Sequence, residues 1–133
     1  MDKTAVVTGA ARGIGLATTK LFLAEGRRVA MIDNDTEELA RAADGLTGAI
    51  ALPCDVSDEA AVAALVPAAL DALGRVDALV NNAGVADFGP IEGTTFERWR
   101  RVMATNLDGV FLMTQAFTPA LRHGRGAIVN IAS

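Results

Sequence analysis

The chain has 133 residues, of which 51% are hydrophobic and 21% are charged, and it contains no tyrosine. This length fits one domain with a sizeable core, while a single cysteine excludes an internal disulfide scaffold. The net charge of −4 gives no electrostatic basis for binding nucleic acid. No uncharged run reaches the roughly 18 residues of a membrane span, and the N-terminus lacks a leader-like pattern. These features predict a cytoplasmic protein that binds neither membranes nor nucleic acid.

Short apolar runs alternate along the chain with longer segments of helical spacing, which indicates repeated strand–helix units. We predict strands at residues 4–8, 29–33, 49–54, 77–81 and 127–132. Because their apolar runs are continuous, both faces of each strand should be covered. The predicted fold class is α/β, with a Rossmann-type doubly wound parallel sheet in the order 3-2-1-4-5. Ligands bind such a sheet where its order reverses, between the first and fourth strands.

Helix boundaries are indicated by capping residues and glycines. Asp35 with Glu38, and Thr94 with Glu97, have the spacing of a capping box, while Ser57 precedes two acidic residues. Glycines that should end helices are Gly26, Gly45, Gly74 and Gly124.

Two features of the helices carry packing predictions. An apolar stripe should pack the first helix on the sheet, and it consists of Ile14, Ala17, Leu21 and Ala24. Pro67 lies within the third predicted helix, where it removes a backbone donor and should bend the axis.

A glycine-rich turn follows the first strand, with the sequence Thr8-Gly9-Ala10-Ala11-Arg12-Gly13-Ile14-Gly15. Glycines permit a tight turn and a close approach of backbone to phosphate, and the N-terminus of the following helix offers unpaired N–H groups. We therefore predict a pyrophosphate site at Gly9, Gly13, Ile14 and Gly15. The alternative is a tight strand-to-helix turn that binds nothing.

Asp33 and Arg12 bear on the choice of nucleotide. Asp33 ends the second strand, 18 residues beyond Gly15, close to the offset of the acid that accepts hydrogen bonds from an adenosine ribose. Its carboxylate would repel a 2′-phosphate, whereas the Arg12 guanidinium would attract one. We give Asp33 the greater weight, so the sequence favours NAD over NADP. The alternatives are a helix-capping role that Asp33 shares with Asn34 and Asp35, and a solvated loop position for Arg12.

Polar residues also follow the third and fourth strands. Asp55, next to Val56, could accept a hydrogen bond from an adenine amino group or could form a turn before Ser57. Cys54 is interpreted as a small core residue, with no metal site near it. After the fourth strand, Asn82-Ala83-Gly84 offers amide groups and a close backbone approach to a ligand, or an ordinary turn.

Together these motifs resemble the N-terminal half of a short-chain dehydrogenase/reductase over all 133 residues. The Thr8–Gly15 turn resembles the family's T-G-x-x-x-G-x-G motif, while Asp55-Val56 and Asn82-Ala83-Gly84 occupy its adenine and ribose positions. Asn106-Leu107 with Gly109-Val110-Phe111 resembles the fourth-helix motif. The final segment, 126–133, resembles the fifth strand, which delivers the active-site serine.

The resemblance implies an oxidoreductase that transfers a hydride between a nicotinamide cofactor and a small alcohol or carbonyl substrate. It would make Ser133 the hydroxyl that orients the substrate oxygen and Asn106 the residue that holds a water in the proton path. It also implies a homo-oligomer, either a dimer or a homotetramer. The Tyr and Lys of the family's catalytic tetrad are missing, because the chain has no tyrosine and its only lysines are Lys3 and Lys20.

We therefore expect residues 1–133 to be a cofactor-binding domain truncated at the active-site serine, without the later strands of the family. The parent protein should be an NAD(P)-dependent enzyme, and the 133-residue chain alone should be inactive. The alternative is a non-catalytic NAD-binding module.

Overall fold

The computed structural model describes residues 2–132, which form a five-stranded sheet in the order β3-β2-β1-β4-β5. All neighbouring strands are parallel. The strands are β1 (Thr4–Thr8), β2 (Arg28–Asp33), β3 (Ala49–Pro53), β4 (Ala78–Asn81) and β5 (Ala127–Asn130). The predicted order is confirmed, β1 has the predicted bounds, and the other four strands differ from theirs by one or two residues.

The helices connect the strands and continue past β4 as one long helical segment. They are α1 (Gly13–Ala24), α2 (Thr36–Ala43), α3 (Glu59–Leu73), α4 (Phe96–Met103) and α5 (Gly109–Gly124). A 3₁₀ turn, Ile91–Gly93, precedes α4, and a π-helical segment, Ala104–Asp108, joins α4 to α5. Neither irregular segment was predicted. None of the described helices is long and apolar enough to span a membrane.

The sheet separates two hydrophobic clusters. On one face, Val6 and Leu79 pack with buried residues of α3 and α5, including Val62 and Phe117. On the other face, a second cluster contains Val7 and Met31 of the sheet, Leu39 of α2 and partly buried residues of α1. The alternation of side chains along each strand supplies both clusters. Two covered faces agree with the continuous apolar runs of the central strands.

The expected coverage of both faces is confirmed at β1, where all five residues are buried, and is wrong at β5, where all four are exposed. β5 pairs with β4 alone among the described strands. Ile128 and Val129 thus lie on an open edge of the sheet. An apolar strand with unpaired backbone groups is a surface on which further chain can pair.

Two predicted helix N-caps shift by one residue. The α4 N-cap is Thr95 rather than Thr94, and Asp58 rather than Ser57 caps α3. The hydroxyl of Thr94 instead donates to the carbonyl of Pro90. α5 ends at Gly124, as predicted, and the left-handed residue that follows it is Arg125, at φ 54°. Asp35 is the N-cap of α2 and accepts from the Glu38 N–H, but the reciprocal bond of a capping box is absent, because the Asp35 N–H donates to Asp33.

The predicted buried stripe of α1 is wrong. Ile14 and Leu21 are 61% and 60% exposed, and Ala17 and Ala24 are exposed as well. The buried residues of this helix are Gly15 and Thr19. The Thr19 hydroxyl donates to the carbonyl of Gly15, so its burial leaves no unpaired polar atom. Thr19 forms this hydrogen bond within its own helix, so it can be buried although it is polar. Hydrophobic spacing therefore could not predict which face of α1 is buried.

Candidate functional site

A cleft of about 250 Å³ opens at the carboxyl ends of the central strands, where the order of the sheet reverses. It is lined by Gly9, Arg12, Asp33, Asn34, Cys54, Asp55, Val56, Asn82, Ala83, Gly84, Val85 and Thr105. The lining residues come from the turns after β1, β2, β3 and β4 and from the π-helical segment. Parallel strands thus bring four distant parts of the sequence to one edge.

Eight of the residues predicted to form the site line this cleft: Gly9, Arg12, Asp33, Asp55, Val56, Asn82, Ala83 and Gly84. Gly13, Ile14 and Gly15 lie instead in the first turn of α1. Four further residues line the cleft that were not predicted to belong to the site: Asn34, Cys54, Val85 and Thr105. Val85 follows the Asn82–Gly84 motif directly, so its position was readable from the sequence, whereas nothing in the sequence distinguishes Thr105.

The glycine turn brings α1 close to β1 and β4. Gly9 has φ +63°, which a side chain rarely adopts, and a Cβ there would lie 2.9 Å from Asn82 Nδ2. A Cβ on Gly15 would lie 2.1 Å from the Gly9 carbonyl oxygen. Both positions therefore require glycine for close packing of the backbone. Around Gly13 no atom lies within 4 Å of the Cβ position, which leaves open space beside the first turn of α1.

The N-terminus of α1 differs from those of α2, α3 and α4. In those helices a side-chain oxygen of Asp35, Asp58 or Thr95 accepts from the first turn. The N-cap of α1 is Arg12, which makes no side-chain cap, and its first turn contains no acidic residue. The positive end of the α1 dipole therefore has neither a capping side chain nor an acidic residue of its own first turn to interact with.

The Asp33 carboxylate joins the turns after β1 and β2. Oδ2 accepts from the Ala11 N–H at 3.1 Å, and Oδ1 accepts from the Asp35 N–H at 3.0 Å. The N-cap of α2 is Asp35, one of the three residues of the capping alternative, and Asp33 contributes by accepting from the Asp35 N–H. Asp33 thus holds the glycine turn in register with β2 and presents a negative charge at the rim of the cleft.

Arg12 forms an ion pair with Asp35, with 2.6 Å between Nη2 and Oδ2. The Arg12 side chain is 61% exposed, as the alternative of a solvated loop residue expects, but it is also held by this ion pair. The hydrogen bond to Asp35 raises the pKa of Arg12, and the one from Arg12 lowers the pKa of Asp35 below its ordinary value. Both groups are charged at neutral pH.

Two residues after β3 form the opposite wall of the cleft. Asp55 forms the turn that was one of its two interpretations, since Oδ1 accepts from the backbone N–H and the hydroxyl of Ser57. Cys54 is buried, as predicted, and also reaches the cleft. Burial and the nearby charges of Asp55 and Asp58 raise the pKa of its thiol to about 11. At neutral pH Cys54 is therefore protonated and a poor nucleophile.

The floor of the cleft depends on the buried hydroxyl of Thr8. It accepts from the backbone N–H groups of Asn82 and Ala83, at 2.9 and 2.8 Å, and donates to the Val80 carbonyl. The Asn82 side chain donates in turn to the carbonyls of Thr8 and Gly9. The predicted turn after β4 is thus bonded directly to the glycine turn after β1.

Asn106 lies in the π-helical segment, next to Thr105 at the cleft. Its amide makes two hydrogen bonds to the Val85 backbone, as donor to the carbonyl and as acceptor from the N–H. Asn106 thus holds the backbone of Val85, a residue that lines the cleft. Ser133 lies outside the described residues.

The loop after Gly84 is held by charged side chains. Asp87 pairs with Arg98 at 2.5 Å and with Arg101 at 3.4 Å. Arg98 also donates to the carbonyl of Gly93, which ties the 3₁₀ turn to the start of α4. Within residues 2–132, no group of three or more acidic, histidine or cysteine side chains is positioned to hold a metal ion.

Solved structures contain the same fold around a nicotinamide cofactor. A 3-ketoacyl-(acyl-carrier-protein) reductase from Brucella melitensis, complexed with NADH, matches 98% of this chain and 57% of its own, with a TM-score of 0.93 and 36% identity. A short chain dehydrogenase/reductase from Burkholderia phymatum, in complex with NAD, matches 99% of this chain and 49% of its own, with a TM-score of 0.95 and 36% identity.

Sequence comparison identifies relatives of the same kind. The D-threitol dehydrogenase of Mycolicibacterium smegmatis is 44% identical over 98% of this chain and 52% of its own length. The 2-(R)-hydroxypropyl-CoM dehydrogenase of Xanthobacter autotrophicus is 42% identical over the whole chain and 57% of its own length. The chain thus spans about half the length of the curated relatives it matches. The family model for short chain dehydrogenases matches residues 3–133, and the chain belongs to that family.

Proposed function

We propose that this chain is the cofactor-binding half of an oxidoreductase that transfers a hydride between a nicotinamide cofactor and a small alcohol or carbonyl compound. The observation that carries the proposal is the cleft, where a glycine turn, an uncapped helix N-terminus and the Asp33 carboxylate meet. The NADH and NAD complexes of the two structural relatives support it. The proposed domain comprises residues 1–133 of a longer parent protein.

The cleft has the chemistry that a dinucleotide requires. Open space beside Gly13 and the unpaired N–H groups at the start of α1 suit a pyrophosphate. The backbone of Ile14 and Gly15 belongs to the same first turn. Asp33, Asp55 and the Asn82–Gly84 turn line the same cleft, and we assign them to the adenine and ribose of the cofactor, for which they offer hydrogen-bonding groups. The proposed cofactor-binding residues are Gly9, Arg12, Gly13, Ile14, Gly15, Asp33, Asp55, Val56, Asn82, Ala83 and Gly84.

Asp33 supports NAD rather than NADP as the cofactor. Its carboxylate lies at the rim of the cleft and is fixed by two backbone N–H groups. A 2′-phosphate placed beside it would face an unfavourable negative charge. We expect Asp33→Ala to weaken NADH binding and to relax discrimination against NADPH, measured as the ratio of the two dissociation constants. An unchanged ratio would contradict this assignment.

When bound, a nicotinamide cofactor supplies or accepts the hydride. The residues of this chain would orient the reactants: Ser133 is proposed to hold the substrate oxygen, and Asn106 is proposed to hold a water in the proton path. Asn106 also fixes the backbone of Val85, so the same residue would position the wall of the cleft. The names of the relatives, two of which are dehydrogenases of hydroxylated small molecules, support an alcohol or ketone substrate.

A second candidate is a non-catalytic NAD-binding module. It is favoured by the absence of tyrosine from the sequence and by the positions of Lys3 and Lys20, far from the cleft-lining turns. No residue of this chain could then act as the phenolic acid/base of the family. For this reason we expect the 133-residue polypeptide to bind cofactor without turnover.

One experiment separates the two candidates. The protein is isolated from its source, its intact mass is measured, and NADH binding is followed by fluorescence beside NAD-dependent oxidation of a panel of small alcohols. A mass well above 13.8 kDa together with turnover supports the dehydrogenase. A mass of 13.8 kDa with saturable NADH binding and no turnover supports the module. Failure to bind NADH at any mass would overturn both.

We also propose that the parent protein is a cytoplasmic homo-oligomer. Support comes from the large apolar side chains exposed on the long helical segment, among them Trp99, Leu107 and Phe111. Large apolar side chains that are exposed on one subunit are typical of surfaces that associate. Light scattering of the full-length protein tests the proposal, and a monomer at micromolar concentration would contradict it.

A further inference from the structure

We propose that Asn130 is a positioning residue, because its hydrogen bond with Asn81 fixes the end of β5 and thereby the place of Ser133. The proposal rests on the proposed function, since it concerns the reaction of the parent enzyme. β5 has the sequence Ala-Ile-Val-Asn, so Asn130 is the one polar side chain of the strand. It is therefore the one side chain of β5 that can form a directional bond.

Asn130 lies beside Asn81, its register partner on the parallel strand β4. The side chains of such partners extend from the same face of a sheet. Here Asn81 Nδ2 donates to Asn130 Oδ1 at 2.9 Å, and the backbone N–H of Ile131 donates to the Asn81 carbonyl at 3.0 Å. Asn81 thus holds the end of β5 through both its side chain and its backbone.

The Asn81 amide is itself oriented by α5. Its Nδ2 also donates to Thr114 Oγ1, at 3.2 Å. Asn81 is 4% exposed, and a buried amide is costly unless its protons find acceptors. The amide has two protons, and Asn130 and Thr114 supply one acceptor each. Rotation of the amide away from Asn130 would leave a buried proton unpaired, so this contact joins β4, β5 and α5 in one arrangement.

The contact contributes position rather than hydrophobic stability. Two residues earlier on the same face of β4, Leu79 belongs to the buried apolar cluster that includes Phe117 of α5. A leucine in place of Asn81 would extend this cluster, but apolar packing has no preferred direction and would not specify where β5 lies along β4. A hydrogen bond between two defined atoms does specify it.

The contact also connects the cofactor side of the proposed site to its substrate side. Asn81 is followed directly by the Asn82–Gly84 turn, which lines the cleft. Asn130 is followed three residues later by Ser133, and three residues span at most about 10 Å. Hydride transfer requires cofactor and substrate to be held in one geometry. Displacement of Asn130 from Asn81 should therefore misplace the serine relative to the cofactor.

The test compares Asn130→Leu with Asn130→Asp in the full-length protein. The two side chains have similar shapes, and only aspartate keeps an acceptor for the Asn81 amide. We expect kcat/KM for a small alcohol to fall about tenfold in Asn130→Leu and less than about threefold in Asn130→Asp, since a misplacement of about 1 Å can cost about 100-fold. The dissociation constant for NADH should change less than about twofold in both, because the cleft residues are unaltered.

Two valine substitutions on α5 provide a matched control. Thr114→Val removes an acceptor of the Asn81 amide, and should lower kcat/KM about threefold, the effect of about one hydrogen bond. Thr118→Val makes the same change four residues later, where the hydroxyl donates to the Thr114 carbonyl and to neither asparagine. It should leave kcat/KM within about twofold of the unaltered protein.

Ser133→Ala shows whether Asn130 acts through the serine. Asn130→Leu added to Ser133→Ala should cost less than about twofold further, because the group that it positions is then absent. Single-turnover formation of NADH at high enzyme concentration measures the slow rates of this background. Asn130→Ala and Asn130→Thr replace the leucine and aspartate variants if those fail to fold, since threonine supplies a neutral acceptor.

The outcomes are distinct. Unchanged kcat/KM in Asn130→Leu, or equal losses in Asn130→Leu and Asn130→Asp, would overturn this inference and leave the proposed function standing. The same holds if Thr114→Val and Thr118→Val have equal effects, or if Asn130→Leu costs as much without the Ser133 hydroxyl as with it. Full-length protein that binds no NADH and oxidises no alcohol of the panel would overturn the proposed function and this inference with it.

Discussion

The side-chain amide of Asn106 is bonded twice to the backbone of Val85. Nδ2 donates to the Val85 carbonyl at 2.9 Å, and the Val85 N–H donates to Oδ1 at 2.8 Å. Asn106 belongs to the π-helical segment, and Val85 begins the loop that follows the Asn82–Gly84 turn. The pair therefore connects the long helical segment to the wall of the cleft. A side chain must both donate and accept to form it, as an amide does.

Asn106→Asp should loosen this connection. A carboxylate accepts from the Val85 N–H but has no proton for the Val85 carbonyl, so one bond is lost at a cost of about 0.5–1.5 kcal/mol. We expect amide hydrogen exchange in residues 85–93 to become about two- to tenfold faster, as such a local cost implies. The control is Gln115→Glu, the same amide-to-acid change on an exposed position of α5. Equal exchange in the two variants would show that the pair does not restrain the loop.

Gly15→Ala should be among the most damaging small substitutions in the chain. The added Cβ would lie 2.1 Å from the Gly9 carbonyl oxygen and 2.7 Å from Asn82 Nδ2, so backbone must move. Overpacking of this kind costs about 1–3 kcal/mol or more. Urea unfolding measures the loss. Gly93→Ala is the matched control, because no atom lies within 4 Å of its Cβ position. Equal unfolding midpoints would contradict the close approach of α1 to β1.

The order of the sheet and the location of the cleft were predictable, because each strand ends in residues with unusual chemistry. Gly9, Asp33, Asp55 and Asn82 all follow apolar runs, and parallel strands bring such ends to one edge. Topology predicts that Asp55 lies at the cleft, because it follows β3. It does not predict which partner Asp55 binds, and local geometry gives it the N–H and hydroxyl of Ser57.

Other features of the structure could not be predicted from hydrophobic spacing in the sequence. In α1, the apolar stripe suggested burial of Ile14 and Leu21, whereas close packing of backbone at Gly15 buries Thr19 instead. Asn106, in the π-helical segment, bonds to Val85 in a loop 21 residues away, a contact that local sequence does not indicate. The Arg12–Asp35 pair likewise joins residues 23 positions apart, which meet only because β1 and β2 are adjacent.

Asp77 should give the stability of the protein an acid-dependent component. The carboxylate accepts from Arg75 at 2.5 Å and from the Thr4 N–H at 2.8 Å, which ties the start of β1 to the start of β4. Burial opposes its ionisation, but the hydrogen bonds from Arg75 and Thr4 outweigh burial and lower its pKa below the ordinary value. The stabilisation is therefore complete above the pKa of the unfolded chain and is lost as pH falls through the lower folded pKa.

Asp77→Asn removes this charge and keeps the shape of the side chain. At pH 7 we expect a loss of about 1.5–3 kcal/mol in the free energy of unfolding, typical of hydrogen bonds to a charged group. The difference from the unaltered protein should begin to shrink as pH falls below about 4, where the unfolded chain becomes protonated, and should be smallest below the lowered pKa of folded Asp77, where neither protein carries the charge. Urea unfolding across this range measures it, with the exposed Asp71→Asn as control. A difference independent of pH would show that the charge of Asp77 is not what stabilises the fold.

Arg98 rather than Arg101 should control the ionisation of Asp87 in the loop beside the cleft. Arg98 donates from Nε at 2.8 Å and from Nη2 at 2.5 Å, whereas Arg101 is 3.4 Å away and more exposed. The hydrogen bonds from Arg98 are the main reason that the pKa of Asp87 is lowered to about 2.

In Arg98→Gln, the pKa of Asp87 should therefore rise from about 2 toward its ordinary value of 3.8, while Arg101→Gln should raise it less. Because the folded pKa is depressed, the ion pair is present above the ordinary carboxyl pKa and is lost as pH falls through about 2 in the unaltered protein. In Arg98→Gln the Asp87 carboxyl should protonate nearer pH 4. Carbon NMR titration of the aspartate carboxyl groups, with Asp87→Asn to assign the signal, measures each pKa. Equal shifts in the two variants would show that long-range attraction, rather than the two-point contact with Arg98, sets the charge of Asp87.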